Sequence, residues 1–117
     1  MSYEVNAKQS YNRPAGQLSE TASDLLVKLG GKPSDKNNPA KGQLDIIFNK
    51  KIKDRALPNR CQVRVKVVAE AGDNATLMAK VFPVDPMGNK LTFGVRGDAS
   101  QVVMDTFLAE LDSSLKN

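Results

Sequence analysis

The densest chemistry-bearing stretch of the 117-residue chain is "NKKIKDRALPNR", residues 49–60, where Lys50, Lys51, Lys53, Arg55 and Arg60 surround a single acid, Asp54. Extended to 41–66, the segment holds eight cations against two acids, whereas the rest of the chain has nine against eleven. The formal net charge of +4 therefore originates in one segment. Such asymmetry marks a surface that faces a polyanion. Lysines at a strand connection also have a second use, keeping a turn in water and a sheet edge free of other molecules. If the segment grips nucleic acid, Lys50, Lys51, Lys53, Arg55, Arg64 and Lys66 are the residues that meet phosphate.

The residue types that are missing exclude more chemistry than those present suggest. There is no histidine, no tryptophan and one cysteine, Cys61. Proton-relaying nucleophilic triads rest on histidine, and structural zinc sites need histidine or several cysteines, so neither can be assembled. Asp85 and Asp98 fall near opposite ends of one expected strand, while Asp24, Asp105 and Asp112 fall on helix faces, so no carboxylate pair is set up for acid and base roles. No phosphate-cradling glycine motif is present. The expectation is a protein that is not an enzyme, with no catalytic residue, metal ligand or cofactor. "RGD" at 96–98 is explained by a strand end followed by an N-cap aspartate, and the acceptor-like "NAT" at 74–76 is discounted because no export signal is visible.

The elements that must position these residues follow from periodicity. "YEVNAKQ", 3–9, alternates Tyr3, Val5 and Ala7 against Glu4, Asn6 and Lys8, a half-buried strand. Pro14 suits a helix start, and Leu18, Ala22, Leu25, Leu26 and Leu29 form a helical stripe ended by Gly30-Gly31, predicting a helix over 14–29. "KPSDKNNPAK", 32–41, has no apolar residue larger than alanine and reads as a mobile connector outside the core. Four strands are expected next, in "QLDIIFN", "CQVRVKVVA", "ATLMAKVFPV" and "KLTFGVR", the last three as a meander with turns at 71–74 and 85–89. "DASQVVMDTFLAELDSSL" carries Asp98 and Gln101 at capping-box spacing and an apolar stripe through Val103, Met104, Phe107, Leu108, Leu111 and Leu115, hence a terminal helix.

The resulting order is β-α-β-β-β-β-α, an α+β class with an antiparallel sheet and two helices packed on one face. This order, together with the strand-proline-helix passage "SYNRPAGQLSETASDLL" at 10–26, resembles one half of the TATA-box-binding protein and the helix-grip group of START, polyketide-cyclase and birch-pollen-allergen-like domains. The helix-grip resemblance implies an apolar small molecule held between sheet and last helix, lined here by Phe48, Phe93, Met104 and Phe107. The TATA-box-binding resemblance implies nucleic acid on the opposite sheet face, where Lys8, Arg64, Lys66, Lys80, Lys90 and Arg96 stand against Glu4 and Asp45, with Ile47, Met78 and Phe82 as apolar elements.

At 117 residues, 40% of them apolar, the chain is expected to form one domain over 1–117 with a modest core. Lacking any apolar run of membrane-span or signal-peptide length, and with Cys61 unable to pair internally, it reads as cytoplasmic. Three partners remain open from sequence: an apolar small molecule, nucleic acid, and a second copy joined through the sheet edges to form a homodimer.

Overall fold

A computed structural model describes residues 4–91 and 98–115. Strict alternation builds the sheet. β1 (Val5–Tyr11) is followed by helix α1 (Ala15–Lys28), then a two-residue strand β2 (Lys32–Pro33), a 3-10 turn (Pro39–Lys41) and β3 (Gln43–Phe48). A small ribbon, β4 (Lys51–Ile52) with β5 (Arg55–Ala56), leads into the long strands β6 (Arg60–Ala69) and β7 (Ala75–Val84), and the chain ends in helix α2 (Ala99–Leu115). The five-stranded sheet has the order β1-β7-β6-β3-β2 with every pair antiparallel. The α+β class and the order of helices and long strands agree with the pattern-based expectation as far as β7. The expected strand over 90–96 lies mostly outside the described residues, although Lys90 bridges Val84 and the Leu91 N–H donates to the Pro83 carbonyl at 2.9 Å.

α1 begins and ends for local reasons. Pro14, with φ −60°, stands at its N-cap, and Leu18, Ala22, Leu25 and Leu26 are buried on one face. At the other end the Gly31 N–H donates to Leu26 O and the Gly30 N–H to Val27 O, both at 3.0 Å, the paired bonds of a Schellman stop. Gly30 takes φ 108°, a conformation that costs residues with a Cβ. Gly31 serves close packing instead, since a Cβ there would stand 2.4 Å from Ile46 Cγ2 and 3.0 Å from Phe48 Cζ. The helix end is thereby pressed onto β3.

Both helices cover the same sheet face. Leu44, Ile46, Phe48, Cys61, Val63, Val65, Leu77, Ala79 and Val81 meet Leu18, Leu26, Val103, Met104, Phe107 and Leu111 in one buried cluster. Burial of a leucine- or phenylalanine-sized side chain contributes roughly 1.5–3 kcal/mol, so this layer dominates the stability.

Two expectations for the connections need correction. The 32–41 segment is not a free connector: β2 pairs with Ile46 and Ile47, the Ser34 N–H donates to Asp45 O at 2.8 Å, and Ser19 Oγ donates to Pro39 O at 2.7 Å. The reason is backbone accounting, because β3 without β2 would leave donors and acceptors unpaired along its outer edge. The basic 49–60 link contains the β4–β5 ribbon, whose Ile52 and Leu57 join the core. Two isolated apolar residues among cations carry too little periodicity to announce a strand pair.

Candidate functional site

The sheet offers two candidate surfaces, and the structure treats them oppositely. On the inner side, Phe48 and Phe107 have 0% and Met104 1% of their surface exposed; Phe93 lies outside the described residues. Side chains this closed line no void open to water, so a ligand reaching them has to part α2 from the sheet. Several polar ties hold α2 in place. The Tyr11 hydroxyl lies 2.7 Å from Gln9 Oε1 and 3.0 Å from Asp112 Oδ1, and Arg13 Nη2 donates to Leu115 O at 2.5 Å. Burial, then the Asp112 carboxylate, pushes the Tyr11 phenol well above its ordinary pKa, so it stays a neutral donor.

The ribbon lies on this helix side. The Lys53 N–H donates to Leu29 O at 2.7 Å, and Lys53 Nζ stands 2.6 Å from Glu110 Oε1 on α2. That pair raises the Lys53 pKa and lowers that of Glu110, chiefly through the charge-assisted hydrogen bond. Lys50 and Lys53 take left-handed φ values of 62° and 57°, unfavourable for residues with a Cβ and accepted here because the turn must bring Ile52 inward. A groove of about 560 Å³ between ribbon and helix is lined by Lys53, Asp54, Arg55, Asp105 and Glu110. Its mixed signs confer no preference for an anion.

Arg64 and Lys66 belong elsewhere. Alternating with the inward Val63, Val65 and Val67 along β6, they project from the opposite sheet face. The six cations assigned to a nucleic-acid contact therefore do not share one surface: Lys53 and Arg55 line the groove beside α2, and Arg64 and Lys66 sit behind the sheet. Sequence proximity misled because the ribbon turns around the sheet's end to bury Ile52 and Leu57.

What the outer face does bring together is a different set. Register places Lys80 opposite both Asn6 and Arg64, and Met78 opposite both Lys8 and Lys66. These residues surround a groove of about 560 Å³ floored by the backbone of Ala7, Val65 and Ala79. Arg64 is held from two sides. Its Nε donates to Asp45 Oδ2 at 3.3 Å, and its guanidinium carbon lies 5.3 Å from the centre of the Phe82 ring, within cation–π range. Asp45 is itself almost fully buried and accepts a 2.6 Å bond from Gln62 Nε2, while its N–H donates to Asn37 Oδ1 at 3.0 Å. Lys90 approaches the same ring at 5.4 Å and pairs with Glu4 at 2.6 Å, lowering the Glu4 pKa. Phe82, expected as a displayed apolar element, is only 4% exposed because the two cations lie over it.

Sequence reasoning assigned Lys8, Arg64, Lys66 and Lys80 to this face and missed the Asp45–Gln62–Arg64–Phe82 unit. Alternation reveals a residue's face; only register reveals its neighbours.

No protein-family model matches the chain, and no curated protein matches it. Its structure is similar to the crystal structure of Ara h 8.0201, at 9% identity over 96% of this chain and 93% of that one, with a TM-score of 0.59. It is also similar to the di-domain ARO/CYC BexL from the BE-7585A biosynthetic pathway, at 10% identity over 97% of this chain and 45% of that one, TM-score 0.54. A START superfamily protein from Mycobacterium smegmatis matches at 12% identity over 97% of both chains, TM-score 0.52. The fold is thus of the START and birch-pollen-allergen-like, helix-grip kind.

Proposed function

We propose that the protein is a non-catalytic binding module whose ligand is a small apolar molecule held between the sheet and α2. One observation carries the reading: the C-terminal helix of a helix-grip fold lies against the sheet with two aromatic rings and a methionine, Phe48, Phe107 and Met104, at the seam. Neighbours with this fold include a START superfamily protein and an aromatase/cyclase of a biosynthetic pathway, and they support a small-molecule role. Phe93 is assigned to the same lining. Because the described lining residues are closed, binding proceeds by displacement of α2, the ligand replacing helix–sheet contacts.

A ligand that binds only the native state raises its stability as its concentration exceeds Kd. A thermal-shift screen with fatty acids and aromatic metabolites is the test. At least one class should raise Tm and should lose its effect in Phe107→Ala. If no compound raises Tm, while Phe107→Ala merely lowers it, the seam is core and the reading fails. Absence of catalysis is checked by turnover assays on ester, phosphoester and nucleotide substrates, where a hydrolytic rate abolished by one Asp or Glu substitution would overturn it.

A further inference from the structure

We infer that the outer-face groove is a site for a compact organic anion bearing two or more phosphate charges, of nucleotide size. This site is separate from the α2 seam and stands or falls independently of it. Lys8, Lys66 and Lys80 are exposed and make no hydrogen bond or ion pair with a described residue. Lys80 stands directly opposite Arg64, a like-charge pairing that disfavours the sheet. Of the acids near it, Asp45 is already engaged by Gln62 and by Arg64 Nε, and Glu4, which feels the Lys80 charge, is paired with Lys90. The Asp45 contact through Nε leaves the terminal guanidinium nitrogens of Arg64 free of hydrogen bonds to described residues, with the group's plane braced on Phe82. An arginine so fixed presents its fork ready for phosphate oxygens.

The dimensions select the ligand. Two strand spacings, about 10 Å, separate β1 from β6, and successive outward residues on a strand are about 7 Å apart. Four cations within that rectangle match adjacent phosphates on one small molecule. The groove's 560 Å³ falls among small-ligand sites, and half-buried Met78 gives an apolar rest for the ligand's organic part. A single-stranded polynucleotide is disfavoured because binding it relies on exposed rings for base stacking, and Phe82, the aromatic ring of this face among the described residues, is covered.

The experiment is a magnesium-free NMR titration of the whole chain with inorganic pyrophosphate, ATP, adenosine and a twelve-nucleotide oligo-dT, at low and physiological salt. Pyrophosphate and ATP should shift the amides of Lys8, Arg64, Lys66, Met78 and Lys80, with ATP tighter, and adenosine should shift none. The double variant Lys66→Gln/Lys80→Gln should weaken ATP at least tenfold without lowering Tm, and Lys66→Arg should bind as the parent does. Arg64→Lys, which keeps charge but loses the fork, should weaken ATP several-fold. Absence of shifts at low salt, shifts confined to the 49–60 ribbon, equal ATP affinity in the double variant, or binding to oligo-dT alone would each overturn the assignment.

Discussion

The inner and outer faces of the same three strands differ in one respect that explains the rest. Inside, each side chain finds a packing partner, so Val63, Val65 and Val81 have at most 4% exposure beneath the helices. Outside, Lys8, Lys66 and Lys80 have no such partner, and Arg64 is steadied by a buried carboxylate and a ring. Stability resides in the closed face and unspent interaction capacity in the open one. The small-molecule reading asks the closed face to open, whereas the anion reading uses the open face as it stands.

The comparison can be broken most forcefully from inside. Phe107→Ala should cost about 3–5 kcal/mol of unfolding free energy, the usual penalty for emptying a filled aromatic site, read by urea denaturation. A loss under about 1 kcal/mol would mean that the seam is loosely packed and already open to a ligand.

Cys61 tests the closure by pH. Burial pushes its thiol from an ordinary value near 9.0 up to about 11. The unfolded thiol ionises first, so the stabilising contribution is whole below pH 9 and disappears as pH rises through 11. At about 1.4 kcal/mol per unit, wild type should lose roughly 2–3 kcal/mol more than Cys61→Ala across that window. Parallel profiles would show that water reaches the sulfur.

Smaller effects sharpen the outer face. Asp45→Ala strands the buried Gln62 amide and should cost about 1–3 kcal/mol; it should also weaken ATP binding by releasing Arg64, a loss that a purely structural role would not produce. Lys80→Glu exchanges a like-charge neighbour of Arg64 for an opposite one and should stabilise by about 0.2–1 kcal/mol while abolishing the anion site. A gain in stability with lost binding is the signature of a face not optimised for folding. Smallest of all, Gln at Lys50, Lys51, Lys53 and Arg55 together should change stability by no more than about 0.5 kcal/mol, because the Lys53–Glu110 pair is exposed and such pairs contribute little.

Much of the architecture was legible because it is written locally. Alternation in Val63-Arg64-Val65-Lys66 assigns faces without reference to any other strand, and the leucine spacing with Gly30-Gly31 bounds α1 within one residue at either end. The ribbon was not legible, since Ile52 and Leu57 acquire meaning only when the sheet's end leaves space for them. The 32–41 segment was misread for a related reason: its role is to supply backbone hydrogen bonds to β3, which its polar side chains do not advertise.

By itself, then, the chain's pattern determined the class, the helices, the long strands, the apolar inner layer and the basic sign of the outer one, all consequences of period and composition. Tertiary structure decided which strands are neighbours. Pairing β7 with both β1 and β6 places Met78 between Lys8 and Lys66, and pairing β3 with β6 places Asp45 beside Arg64. It also set Lys53 and Arg55 beside α2 and Arg64 and Lys66 on the opposite side of the sheet. The physical reason is that faces follow from a two-residue repeat within one strand, whereas neighbours follow from long-range pairing whose register is set by burial and backbone hydrogen bonding across the whole sheet.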